Sequence, residues 1–302
     1  MMYWIFELDE ESKDLCTIVT PFGAYRNCRA PMGLKNTPPF AQAQMEKVLR
    51  GIEESDCYID DIGAWSNNPS VNVAWKMRIE LLDKILTRLE EHNFTVNPLK
   101  CEWGVQETDF LGYWITPTGI KPWSKKVEAI VKMKEPKTIT DLRSFVGLVG
   151  FYNDLFPQRA HILKPLTDLG NLRKGTKLGE HWTQECREAF EKMKAIAAAD
   201  CLLAYPDHNK PFYIYTDASD YQLGAIIMQR GDDGVLRPVA YFSQKLNPAQ
   251  RNYTTIEKEL LSIVMVLKQY RTMLYGAELH IYTDHKNLTF ENFNTQRVLR
   301  WR

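Results

Sequence analysis

The sequence predicts an α/β protein built from two modules, and three observations carry that expectation. Its 302 residues suit about two domains of roughly 150 residues each. Hydrophobic residues make up 44% and charged residues 25%, a balance that supports apolar cores under a polar surface. Short alternating apolar runs and longer runs of helical period occur on both sides of a Gly- and Lys-rich stretch at 170–181, the best candidate linker.

In chain order, residues 3–8 and 15–22 read as short strands joined by an acidic turn at 9–14. Pro31, Gly33, Pro38 and Pro39 punctuate a loop before a helix from about Phe40 to Gly51. Residues 57–59 and 62–65 read as a hairpin with Asp60 and Asp61 between its strands, ended by Asn67, Asn68 and Pro69. Ile79, Leu82, Leu86 and Leu89 fall on one face of a helix over 74–92. A strand region at 109–115 and a turn at 116–119 follow. Helices are expected at 124–134 and 139–155, the second capped by Thr138 or Thr140. Thr183 caps a further helix reaching about Ala198. Beyond Pro206, strands are expected at 212–216, 225–229, 239–243 and 279–283, with a long helix at about 254–274 before the last.

Several classes of protein are excluded by composition. No apolar run approaches the ~20 residues of a membrane span, and no basic segment with an apolar core opens the chain as a secretory signal would. The six cysteines include no CxxC pair, which argues for reduced thiols in an intracellular protein of cytoplasm or nucleus, not a secreted one. Net charge is zero, so charge in bulk gives no support to nucleic-acid binding. Its distribution is uneven, however. Between Lys121 and Lys137 there are six lysines and two acids, a stretch that suits either a solvated helix face or a track along phosphates.

Two sets of carboxylates carry the chemistry. Adjacent Asp60 and Asp61 with apolar neighbours suit either a solvated turn or a divalent cation, since magnesium prefers hard oxygen ligands. Only one of the two can point straight at an ion, because side chains alternate along a strand. Tyr215-Thr216-Asp217 and Tyr282-Thr283-Asp284 form an echo, each setting an aspartate just beyond an apolar strand where it can face a shared cleft. Glu257 and Glu259 are competing helical acids that cannot share a face, lying two residues apart.

The surrounding residues carry a family resemblance. Tyr58-Ile59-Asp60-Asp61 matches the Tyr/Phe-x-Asp-Asp box of reverse transcriptases. Thr20-Pro21-Phe22-Gly23 and Pro31-Met32-Gly33-Leu34-Lys35-Asn36 precede it in the expected order. Asn97-Pro98-Leu99-Lys100-Cys101, Phe110-Leu111-Gly112-Tyr113 and Asp141-Leu142-Arg143-Ser144-Phe145-Val146-Gly147-Leu148 follow it. Together they resemble gypsy-type long-terminal-repeat retrotransposon Pol polyproteins over nearly the whole chain. Thr216-Asp217-Ala218-Ser219, Glu257-Lys258-Glu259-Leu260-Leu261 and Thr283-Asp284-His285-Lys286-Asn287-Leu288 resemble the RNase H-like domain of the same elements.

The resemblance implies an α+β palm with a helical thumb, followed by an RNase H-like α/β domain. The implied division is 1–122 for a partial palm with primer grip, 123–180 for thumb or connection-like helices, and 181–302 for the RNase H-like domain. It implies RNA-directed DNA polymerase and ribonuclease H chemistry through two-metal phosphoryl transfer with Mg2+ (or Mn2+). Asp60 and Asp61 would be palm metal ligands, and Asp217, Glu259 and Asp284 those of the nuclease site, with Glu259 favoured over Glu257. Tyr3 aligns with the aromatic steric gate beneath an incoming dNTP, and Met32 with a side chain near the nucleotide. Phe110, Leu111, Gly112 and Tyr113 would form the primer grip. Gly147 and Phe151, four apart on one helical face, would follow the minor groove of the template–primer, although Phe151 also suits a helix core. The partners implied are an RNA–DNA hybrid or template–primer duplex and dNTP, with no membrane; the oligomeric state is left open. The family's third palm carboxylate falls ahead of Met1 and a fourth nuclease carboxylate beyond Arg302, so the expectation is a chain truncated at both ends and impaired on its own. A catalytically dead nucleic-acid-binding remnant is the alternative.

Overall fold

The computed structural model describes residues 2–66, 68, 70–199 and 201–285. They form two compact units, Met1–Val105 and Gln106–Arg302.

The first unit opens with a single 3-10 turn at Met2–Ile5, then α1 (Glu10–Leu15) and an exposed antiparallel hairpin of β1 (Thr17–Thr20) and β2 (Gly23–Arg26). After α2 (Thr37–Leu49) come the hairpin strands β3 (Ser55–Tyr58) and β4 (Asp61–Ala64), and then α3 (Val71–Glu91). Residues 3–8, expected as a strand, pair only through a Glu7–Arg29 bridge. The acidic run is helical instead of a turn: the Asp9 side chain accepts the Ser12 N–H, and Glu10 and Glu11 occupy the first turn, where the helix dipole favours acids. On α3 the buried face is Leu81, Ile85 and Leu89, while Ile79 and Leu86 are exposed. Both faces of this helix carry apolar residues. The one that packs is the one sharing a core with Ala41, Met45, Val48 and Cys57.

The second unit begins with a three-stranded antiparallel sheet, β5 (Thr108–Phe110), β6 (Tyr113–Thr116) and β7 (Gly119–Pro122), where one strand region was expected. The helices α4 (Ser124–Lys132), α5 (Ile139–Phe151), α6 (Arg159–Ile162), α7 (Lys164–Leu169) and α8 (Gln184–Ala198) follow. Thr138, not Thr140, caps α5 through a reciprocal capping box with Asp141. Ile130, Leu142, Phe145, Tyr152, Phe190 and Met193 form one continuous core across these helices. The stretch at 170–181 is not a free linker. Ile139 N–H bonds Thr176 C=O, Leu178 N–H bonds Lys137 C=O, and the Leu178 side chain is fully buried in the helical core.

The closing sheet has the order β10-β9-β8-β11, formed by β8 (Phe212–Ala218), β9 (Gln222–Arg230), β10 (Leu236–Lys245) and β11 (Leu279–Tyr282). Between its last two strands in sequence lie α9 (Pro248–Arg251), α10 (Thr255–Gln269) and α11 (Arg271–Leu274). Leu261 and Val266 of α10 share a core with Phe212, Ile214, Leu223 and Ile227 of the sheet. Among the described residues no helix is long and apolar enough to cross a membrane. Asn67 and Pro69 at the expected hairpin end, and the motif residues Lys286, Asn287 and Leu288, lie outside the described residues.

Candidate active sites

The first site follows directly from strand direction. β8 and β11 run parallel with Tyr215 opposite Tyr282, so Asp217 and Asp284, each two residues further on, arrive side by side. Thr216 Oγ1 donates to the Tyr282 carbonyl (3.3 Å) and the Tyr215 and Tyr282 rings stack at 4.7 Å, which fixes this register. Glu259 comes up from α10, and oxygens of Asp217, Glu259 and Asp284 all lie within 4.8 Å of one another. The two aspartates are exposed, whereas Glu259 is only 2% exposed.

Glu259 is held in an uncomfortable place. Its Oε1 accepts the Ala218 N–H (3.0 Å), but Oε2 is buried with no hydrogen-bond partner. Burial first, and then the charges of Asp284 and Asp217, push its carboxyl up to about 7. An orphaned carboxylate oxygen facing two more acids is the signature expected of a cation site. The donor set is oxygen only, without His or Cys, which suits Mg2+ or Mn2+. The competing Glu257 is committed elsewhere: its Oε2 accepts the Thr254 N–H (2.9 Å) in the box that caps α10.

The second site is the tip of the β3–β4 hairpin. Tyr58 pairs with Asp61, leaving Ile59 and Asp60 as a two-residue loop with both aspartates exposed. Ile59 has φ +58°, a left-handed conformation that a β-branched residue adopts only under constraint. The constraint is Gln42 of α2. Its Oε1 accepts the Ile59 N–H (2.6 Å), and its Nε2 donates to the Cys57 carbonyl (3.0 Å). Tyr3 and Ile59 pack against the same core, while Met32 is 58% exposed in the loop before α2 and lies outside that core. Nothing in the described geometry brings Met32 to the aspartates.

The third group lies at the β5–β6 turn. Leu111 (φ +52°) and Gly112 (φ +84°) both take left-handed backbone, and Phe110 and Tyr113 flank them. Tyr113 stacks on Phe151 with centroids 5.6 Å apart. On α5, Phe145 is fully buried and Phe151 is 41% exposed, so the helix core is built on Phe145. Gly147 shares the exposed face with Phe151, and a side chain there would meet nothing within 4 Å.

Two positioning features were not read from the sequence. One is Gln42, which carries no signal beyond being a polar residue among apolar ones. The other is Lys258, a buried lysine whose Nζ lies 2.7 Å from the exposed Asp220, pinning the β8–β9 turn to α10 beside the acid cluster. Its position between Glu257 and Glu259 in a helix otherwise turned inward was the available hint.

A parallel strand pair presents two aspartates to a buried helical glutamate, and an aspartate-tipped hairpin lies in the other unit, an arrangement of oxygen donors that suits divalent-cation chemistry. The chain belongs to the reverse transcriptases of retrotransposon Pol polyproteins. Residues 2–115 match the reverse transcriptase (RNA-dependent DNA polymerase) family, and residues 182–281 match the RNase H-like domain found in reverse transcriptase. It is 38% identical over 284 residues to the retrovirus-related Pol polyprotein from transposon 297 of Drosophila melanogaster, covering 93% of this chain and 26% of that one. With the Pol polyprotein from transposon gypsy of the same organism it shares 32% over 309 residues, 98% of this chain and 29% of the relative. With the transposon Tf2-3 polyprotein of Schizosaccharomyces pombe (strain 972 / ATCC 24843) it shares 31% over 290 residues, 93% of this chain and 21% of the relative. The chain thus spans between a fifth and a third of these polyproteins. In fold it is similar to a foamy viral protease-reverse transcriptase in complex with double-stranded DNA (TM-score 0.82, 22% identity, 99% of this chain and 52% of the other). The same holds for the foamy viral protein in complex with RNA/DNA hybrid (TM-score 0.81, 23% identity, 99% and 40%).

Proposed function

We propose that this chain is the reverse transcriptase and RNase H portion of a retrotransposon Pol protein, acting on a template–primer duplex and an RNA–DNA hybrid. The observation that carries this reading is the convergence of Asp217, Glu259 and Asp284 around a buried, unpartnered carboxylate oxygen. These three would hold Mg2+ or Mn2+, which when bound would activate a water and stabilise charge at a scissile phosphate. The protein's own contribution is to orient. Ala218 N–H fixes the Glu259 carboxyl, the Thr216–Tyr282 bond fixes the strand register, and Lys258 with Asp220 holds the adjoining turn.

In the first unit, Asp60 and Asp61 would serve as palm ligands, Tyr3 as the gate against a ribose hydroxyl, and Met32 as a nucleotide neighbour. Residues 110–113 would grip the primer, and Gly147 with Phe151 would follow the duplex groove. The functional division proposed is 1–122 for palm and primer grip, 123–180 for thumb-like helices and 181–302 for the nuclease domain. The six free cysteines suit an intracellular setting.

The test is cleavage of the RNA strand of an RNA–DNA hybrid in Mg2+, compared with Asp217→Asn. Cleavage that needs the cation and falls at least a hundredfold in the variant is the expected result. Isothermal titration with Mn2+ gives a second readout: wild type binds, and Asp217→Asn binds at least tenfold more weakly. A chain that neither cleaves hybrid nor binds Mn2+ would sink the reading.

A further inference from the structure

Tyr152, the residue that ends α5, is used by none of the assignments above, yet it is the best-connected side chain around the β5–β6 turn. It is fully buried. Its hydroxyl donates to the Gly112 carbonyl (2.6 Å) and accepts the Trp123 N–H (3.2 Å). One phenol thus ties the left-handed turn at Leu111–Gly112 to the residue that opens α4. Its ring meets Phe151 edge-on at 4.9 Å and Tyr113 edge-on at 5.4 Å.

The residues held this way make a surface. Lys126 Nζ lies 3.5 Å from the Phe151 ring centroid, and it sits so close over Gly112 that a Cβ there would come within 2.6 Å of it. Gly112 is required for its φ of +84°, and the lysine tip lies directly over it. Among the described residues no carboxylate pairs with Lys126. Leu111 and Phe151 are 40% and 41% exposed. An unpaired ammonium seated on an exposed aromatic, beside a turn that offers backbone and an apolar side chain, suits a phosphodiester strand: the cation takes the phosphate, and the ring and leucine take the sugar face.

We propose that Tyr152 is a positioning residue whose hydroxyl sets the β5–β6 turn, Lys126 and Phe151 as one rigid surface for a phosphodiester backbone, with Lys126 as its phosphate contact. This rests on the duplex-binding function proposed above. Rigidity is the point, because a lysine on a loose turn would have to be ordered at the moment of binding, and a preset one is not.

The experiment uses the whole 302-residue chain and a labelled RNA–DNA hybrid of about 20 base pairs, titrated by fluorescence anisotropy at several KCl concentrations and at a temperature where circular dichroism reports every variant folded. Tyr152→Phe keeps the ring and removes only the hydroxyl; it should weaken binding about fivefold to tenfold. Lys126→Gln should reduce the slope of log affinity against log salt by about 1. The double variant should lose less than the sum of the two, because one defect already contains the other. Amide exchange supplies a readout free of nucleic acid: the Trp123 amide should exchange at least tenfold faster in Tyr152→Phe, while core amides such as that of Phe145 keep their protection. Wild-type binding unaltered by Tyr152→Phe, additive losses, or an unchanged Trp123 exchange rate each overturn the proposal. A wild-type chain that binds no hybrid removes the duplex-binding function together with it, whereas binding that is indifferent to Tyr152 removes the positioning role alone.

Discussion

Glu259 sets the cost of a buried, unpartnered carboxylate oxygen against the cation-binding role proposed for it. Its buried carboxyl is raised from 4.5 to about 7, with desolvation as the leading cause. Because the folded value lies above the unfolded one, this group's contribution to stability is fully present below about 4.5 and is lost as pH rises through about 7. Glu259→Gln should therefore make the cation-free chain more stable at pH 7.5, raising its unfolding midpoint by a few degrees, at roughly 2–4 °C per kcal/mol. If the proposed site holds Mg2+, the cation should stabilise the wild type and the same variant should abolish that stabilisation, which calorimetry with and without Mg2+ reads directly. A lower midpoint for the variant without cation would contradict this account. Gln42 works in the opposite sense, since its amide satisfies the strained Ile59 N–H. Gln42→Ala is expected to destabilise the first unit by about 1–2 kcal/mol in urea unfolding. At this scale the sequence was partly legible. The convergence of Asp217, Glu259 and Asp284 was legible through the family resemblance, since each acid taken singly suits a solvated turn, strand end or helix surface as well as a cation. Gln42 and Tyr152 were not legible, because their roles are hydrogen bonds to backbone atoms far away in sequence, and nothing local encodes a distant partner.

At the scale of elements, α5 has one buried face and one open face. Leu142, Phe145 and Val149 are buried, and Gly147 and Phe151 look outward. Phe145→Ala should cost about 3–5 kcal/mol by emptying a packed core. Phe151→Ala should cost far less stability and appear instead as weaker hybrid binding, and the contrast between the two is the measurement. Thr138→Ala should cost about 1 kcal/mol through the lost capping box, with Thr138→Ser close to neutral. Helices with caps and periodic apolar faces were foreseen within a few residues of their ends. The failures were short or exposed pieces. β2 shows no buried face at all, so no alternation betrays it, and α1 reads as a turn until Asp9 is seen to cap it. On α3 both faces are apolar, and only the location of α2 and β3 decides which is buried.

For the whole molecule, two units with separate cores predict two unfolding transitions. Ile85→Ala should move one of them and Phe190→Ala the other, each by several degrees in calorimetry, with the untouched transition staying within a degree or so. A single transition shifted by either change would mean that the units unfold together.

One packing detail bears on how such a protein is to be cut. The residues that resemble an RNase H-like domain begin at 182, at the doorstep of α8. Yet the apolar side of α8 belongs to the helices before it: the Phe190 ring sits 4.5 Å from that of Phe145, and Met193 and Ala197 are sealed in the same cluster. A gene fragment opened at the domain's sequence boundary would carry α8 away from α4, α6 and α7, on which it packs, giving a sticky, aggregation-prone product. One opened at Gln106 would keep the helix and its bed together, so the natural seam for expression lies some seventy-five residues upstream of the one that homology suggests.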